Sequence, residues 1–349
     1  MKFSAGLVAL ASLATALPGP AQNPGINVRL EAQGSSKVKA VVTNSGSSSV
    51  KILKTGSILD DLPVQKASVS GANGNVAFEG VKVFVAQPDE SAFLEIPSGS
   101  SIEVEFDVAE GFDLSTGGNF DVQSAGVIRY AQGGDISNLA SVSYSSNTVA
   151  TNIDGDAAAQ IFTTFKDTQV AKRATISGDC TGSQRQAVET ARQNTLNIAK
   201  KAAAAARNGP ANKMVEYFES AGQSARNTVA TAFDKMVNAY QSSSSGRPDL
   251  HCRDAQGYCT GGVVAYTLPP QNLIVYCSAW FNYPALNSAC RQVDQAHIAV
   301  HESTHLSMVK GTDDYGTYGY QNSINLPASK NLNHADTYAY FAHDTLSGC

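Results

Sequence analysis

Hydrophobic positions in the first half of the chain come in short runs. In the second half they recur at helical spacing. Between about residues 22 and 150 the apolar runs fall at 38–42, 50–53, 81–85, 102–108 and 127–130. Asn44-Ser45-Gly46, residues 71–74 and Gly117-Gly118 separate them, the punctuation expected of turns between strands. Ile102, Val104, Phe106 and Val108 alternate with Glu103, Glu105 and Asp107, the period of two that marks a half-buried strand. Short strands with Gly/Ser turns predict a small β-sandwich, and nothing in this half forms a catalytic constellation.

From about residue 181 the pattern changes. Thr181 or Ser183 can cap a helix that runs to about Ala206 and ends at Asn208-Gly209. Pro210 opens a second helix, to about Glu219. After Ser224, Val229, Phe233, Met236, Val237 and Tyr240 share one side of a third. Residues 263–267 and 273–277 are strand candidates that can form a hairpin. A fourth helix is expected from about 288 to 308 and a fifth from about 334 to 346. Gly311, Gly316 and Gly319 keep the segment between them out of a helix. The expected fold class is α+β: a mainly helical domain with a small β-hairpin or sheet, preceded by a β-rich, sandwich-like segment.

Composition sharpens the boundary between these halves. The 349 residues suffice for two or three domains. All six cysteines and all six histidines lie beyond residue 179. Residues 1–173 hold 12 Lys+Arg and 17 Asp+Glu and so carry the whole net charge of -5, while the remainder is balanced. No basic stripe is present, so the sequence offers no case for nucleic-acid binding. Met1-Lys2, the apolar stretch 3–13 and Ala14-Thr15-Ala16 have the form of a secretory signal, about residues 1–19. No later stretch reaches the ~20 apolar residues of a membrane span. An even cysteine count behind such a signal reads as three disulfides, with pairing open. Lys172-Arg173 stands at the composition boundary, where a processing protease of the secretory pathway can cut. The expected division is therefore a signal at 1–19, a propeptide at 20–173 (β-rich to about 150, then a linker) and a mature domain at 174–349.

His301-Glu302-Ser303-Thr304-His305 matches H-E-x-x-H. Residues four apart on a helix share a face, so the two imidazoles can reach one zinc ion at ~2.0–2.1 Å. Glu302 beside them can take the proton of the attacking water without being a ligand. A catalytic zinc needs a third protein ligand. No Glu follows His305, and Met308 and Gly311 stand where the Gly and third His of an extended histidine motif would fall. The carboxylates left downstream are Asp313, Asp314, Asp336 and Asp344.

With Gly311-Thr312-Asp313-Asp314 and Ala335-Asp336-Thr337-Tyr338 added, the chain resembles the deuterolysin family of fungal zinc metalloendopeptidases, the aspzincins. The resemblance implies a zincin-type fold, with His301, His305 and Asp314 on one zinc ion per mature chain and Glu302 as the catalytic base. It makes Asp336 the support of a ligand imidazole through its other ring nitrogen. By residue count alone, Asp313 and Asp336 stay open as third ligands. The family's cysteine order implies Cys180–Cys252, Cys259–Cys277 and Cys290–Cys349. Its oxyanion-stabilising tyrosine falls three residues after the ligand Asp, where this chain has Thr317, as if one residue were inserted. Tyr318 keeps the Tyr-Gly pair and is the expected counterpart, with Tyr315 and Tyr320 as rivals. The implied activity is cleavage of internal bonds in protein or peptide substrates, with a leaning toward basic proteins, by a secreted monomer. A secreted zinc-binding protein without turnover and a disulfide-stapled binding module are the competing classes.

Overall fold

The computed structural model describes residues 24–86, 88–168, 176–242 and 247–349. The expected signal at 1–19 and the pair Lys172-Arg173 lie outside the described residues.

The first half supplies β1 (Ile26–Ala32), β2 (Lys37–Asn44), β3 (Val50–Leu53), β4 (Ser68–Gly71), β5 (Gly74–Asn75), β6 (Lys82–Val85), β7 (Phe93–Ile96), β8 (Ser101–Asp107), β9 (Gly118–Gln132) and β10 (Asp135–Ile153). One sheet runs β1-β2-β8; a second runs β5-β4-β9-β3-β7, with β10 paired to β9. Alternation sets the facing. Ile26, Val28 and Leu30 of β1 and Val38, Ala40 and Val42 of β2 are buried, as are Ile52, Val122 and Ile128 of the second sheet, and all join one core. Ile102, Val104 and Phe106 lie opposite Val42, Ala40 and Val38, so the alternating segment is the third strand of the first sheet.

Two expectations are corrected here. The segment after residue 150 is not a linker throughout, because α1 (Gly155–Thr168) is helical. Asp154 caps it by accepting from the amides of Asp156 and Ala157, and it buries Ala158, Phe162 and Phe165. The strand at 82–85 belongs to neither sandwich sheet. It pairs with a strand of the second half in the order β11-β13-β12-β6.

The second half contains α2 (Gly182–Asn208), α3 (Ala211–Phe218), α4 (Gln223–Gln241), β11 (Asp249–His251), β12 (Val263–Leu268), β13 (Leu273–Tyr276), α5 (Gln295–His305), α6 (Tyr320–Ile324), α7 (Ala328–Asn331) and α8 (Ala335–Ser347). The molecule is thus α+β. Small residues on α2, among them Ala191, Ala199, Ala202 and Ala206, are buried in a core shared with Phe233 and Met236 of α4, Ile298 of α5 and Phe341 of α8. Disulfides join Cys180 to Cys252, Cys259 to Cys277 and Cys290 to Cys349. A third core spans both halves, with Leu53, Val83, Phe93 and Phe165 against Val263, Tyr266, Leu268 and Val275. Among the described residues no helix is long and apolar enough to cross a membrane.

α5 starts seven residues later than its apolar pattern suggested. Asp294 sets the start, with one carboxylate oxygen accepting from the His297 amide at 2.7 Å. The other oxygen accepts from the Asn287 amide at 2.6 Å and contacts His343 Nε2 at 3.0 Å. Burial opposes a charge on His343, but Asp294 and Asp344 outweigh it and raise its pKa to about 9. Asp294→Ala is expected to cost about 3–5 kcal/mol, because it strands a buried cation as well as a helix end; denaturant titration reads the loss. A pKa raised on folding stabilises below the unfolded value. The melting temperature should therefore fall as pH rises from 6.5 through about 9, and His343→Gln should flatten that slope.

Candidate metal centre

Every residue of α5 is buried. His301 Nδ1 bonds an oxygen of Asp336, on α8, at 2.7 Å. His305 Nδ1 lies 2.9 Å from the Thr312 carbonyl, which can only accept, so Nδ1 carries that ring's proton. The Nε2 atoms therefore present lone pairs, yet they face one another at 3.2 Å. Asp314 Oδ1 completes the triangle, 3.1 Å from His301 Nε2 and 3.3 Å from His305 Nε2. No hydrogen-bond donor among the described residues satisfies that oxygen.

Three inward electron pairs need a positive charge between them. A tetrahedral ion with ~2.0–2.1 Å bonds spaces its ligand atoms ~3.3–3.4 Å apart, which this triangle matches. The two nitrogens and one carboxylate oxygen are also a donor set that suits zinc. A proton is the competitor for the same place. Burial opposes it on His301, but Asp314 and Asp336 outweigh burial and lift the pKa to about 10. Asp314 is buried as well, which disfavours its charge; His305 and His301 reverse this and hold it well below the usual carboxylate range.

The other third-ligand candidates are engaged elsewhere. Asp313 pairs with Lys82 Nζ at 2.5 Å. Asp336 reaches His301 on its far side and accepts from the Gly319 amide at 2.7 Å. The chain selects Asp314 by a sharp turn, since Tyr315 has φ 52° and Gly316 has φ 67°. A side chain at Gly316 would meet the Val127 carbonyl oxygen at 2.6 Å, so the ligand loop lies directly on β9.

Glu302 is fully buried beside the triangle. Thr267 on β12 donates to its Oε2 at 2.5 Å, and Oε1 has no hydrogen-bond partner among the described residues. Burial, the largest influence, pushes its carboxyl up to about 7, against the pull of the two imidazoles. Of the three tyrosines, Tyr318 stacks on His301 with ring centroids 6.1 Å apart. Tyr315 turns to His334 and Asn333, and Tyr320 donates to Glu216. Burial raises the Tyr318 pKa well above its ordinary value, so the hydroxyl keeps its proton.

The remaining histidines have structural surroundings. His334 caps α8 and bonds the Thr317 carbonyl, and His297 is buried 3.7 Å from Asp336. Three neighbours of the site had no local signal in the sequence: Thr267 on Glu302, Arg129 4.5 Å from the Tyr318 ring centroid, and Lys82 on Asp313. The latter two come from the sandwich half.

Comparison with known proteins agrees with this donor set. The model of the deuterolysin metalloprotease (M35) family matches residues 1–349. The chain belongs to that family. A neutral protease 2 homolog of Colletotrichum graminicola is 42% identical over 355 residues, covering 100% of each chain. A second, from Phaeosphaeria nodorum, is 42% identical over 357 residues with the same coverage. Penicillolysin of Penicillium citrinum is 36% identical over 352 residues, covering 99% of each. With the buried trio His301, His305 and Asp314, the family places this chain among zinc metalloendopeptidases that use one Zn2+ per chain.

Asp336→Ala is expected to lower zinc affinity about 10–100-fold, because it frees the His301 ring and its tautomer. Asp313→Ala should leave zinc affinity nearly unchanged. Chelator competition with metal analysis reads both.

Proposed function

We propose that the chain is the precursor of a secreted deuterolysin-type endopeptidase, with a signal at 1–19, a propeptide at 20–173 and a mainly helical mature domain at 174–349. Support comes from the junction of the halves at Lys172-Arg173 and from the confinement of the trio and all three disulfides to the second half. Disulfides suit an oxidising, extracellular destination. Large apolar side chains exposed among the described residues are Val215 and Leu286, which suits a monomer.

One observation carries the catalytic reading: a buried carboxylate, Glu302, stands beside the trio with one oxygen free. Zinc, when bound, supplies Lewis acidity that activates water and polarises a peptide carbonyl. Thr267 fixes Glu302 through Oε2, leaving Oε1 to take the water proton and deliver it to the departing amine. Tyr318, protonated and stacked on His301, is placed to donate to the oxyanion that develops on the attacked carbonyl. Asp336 keeps His301 in the tautomer that presents Nε2, and the Thr312 carbonyl does the same for His305. The inserted residue in the tyrosine loop thus leaves a tyrosine facing the site, against the reading as a binder without turnover.

The test is a digest of casein and protamine by the processed enzyme, with chelator and with zinc restored, followed by mapping of the cuts. Glu302→Gln is expected to keep zinc and lose turnover; full activity in that variant would sink the assignment. Tyr318→Phe should lower kcat about 10²–10³-fold at unchanged zinc content. N-terminal sequencing should find the secreted form starting at Ala174 or Thr175.

A further inference from the structure

An endopeptidase must seat an extended chain beside its metal, and in this molecule that place is taken. β6 lies antiparallel on the edge of β12, with Thr267 opposite Lys82, Tyr266 opposite Val83 and Ala265 opposite Phe84. β12 is the strand whose Thr267 holds Glu302. Any chain paired to this edge therefore runs past the catalytic carboxylate. Adding a strand to an open sheet edge is a general way to bind an extended peptide. Among the described residues β6 pairs as a strand with β12 alone and with neither sandwich sheet.

Its side-chain and carbonyl contacts go further than sheet pairing requires. The Tyr318 hydroxyl donates to the Val83 carbonyl at 2.8 Å. The Phe84 ring stands edge-on to His301 at 4.8 Å and to Tyr318 at 6.0 Å, and lies 6.5 Å from His297. Lys82, with a side chain only 7% exposed, pairs with Asp313 and with Gln65, each at 2.5 Å. Burying an ammonium is costly unless it is paired, and a strand that served only as packing would gain nothing from it.

We propose that β6 occupies the substrate cleft as a substrate does, which rests on the peptidase reading above. The Val83 carbonyl takes the position of the attacked carbonyl, where Tyr318 meets it. Phe84 fills the pocket for the residue after the cut, and Lys82 fills the pocket for the second residue before it. The first pocket is walled by the rings of His297, His301 and Tyr318. The second is closed by Asp313, which becomes a specificity residue for basic side chains. Latency of the precursor is then competition between a built-in strand and an incoming one, with no need for a group that caps the metal. The preferred substrates carry a cation, then an apolar residue, then an aromatic or large apolar residue across the cut.

The test uses enzyme processed from the full chain, checked first for casein digestion and zinc. A peptide of residues 79–86 is titrated into it. The expected results are a raised KM at unchanged kcat, or cleavage of the peptide between Val83 and Phe84. Phe84→Asp and Lys82→Glu peptides should bind roughly tenfold or more weaker. Asp313→Lys enzyme with normal zinc content should prefer the Lys82→Glu peptide. In the uncut full chain carrying Lys172→Ala and Arg173→Ala, adding Phe84→Asp should release activity on a small peptide at unchanged zinc content. Casein digestion that the peptide does not compete with, or cleavage of the peptide elsewhere, overturns the proposal and leaves the peptidase reading standing. A zinc-loaded processed enzyme that digests nothing overturns that reading instead.

Discussion

The hydrogen bond between His301 Nδ1 and Asp336 is the constraint on which the active half turns. It crosses from α5 to α8, the two helices whose contact closes the second core, and it decides which nitrogen of His301 faces inward. Its partner is the bond from His305 Nδ1 to the Thr312 carbonyl. Together they fix two lone pairs toward the Asp314 carboxylate. The same carboxylate takes the Gly319 amide and so holds the backbone next to Tyr318. Metal ligand, helix packing and tyrosine position are thus set by one buried acid.

Much of this was legible in the chain because it is local. A four-residue interval places His301 and His305 on one helical face whatever surrounds them. The choice between Asp313 and Asp314 is also local in cause, but it depends on a reversal at Tyr315 and Gly316 that composition does not announce. Both acids could have turned inward. The late start of α5 reflects Asp294, whose capping role needs Asn287 and His343 as partners. α1 escaped notice because its alanines and threonines read equally well as linker until Asp154 is seen to cap them. β10 is rich in Ser and Asn, and only Ala140, Val142 and Tyr144 alternate with its serines; the rest of the strand is defined by its register with β9.

What the chain could not show from local pattern is the meeting of its halves. Arg129, Val83 and Lys82 lie at least 170 residues before the groups they touch, and each alone is an ordinary strand residue. The sandwich had seemed inert because it holds no cysteine and no histidine. Besides the side chains of Lys82, Phe84 and Arg129, it contributes backbone geometry: a carbonyl for Tyr318, a strand for β12 and a bed for the Gly316 loop. Such contributions leave little trace in residue type.

If processing at Lys172-Arg173 removes β6, as proposed, the edge of β12 acquires a further consequence. A row of unpaired amide and carbonyl groups beside apolar side chains is a template for any extended chain, including another copy of the same enzyme. Substrate capture and self-association would then draw on the same backbone groups, so crowding alone would slow the enzyme and substrate would keep it dispersed. A protease released this way is safest when dilute and fed.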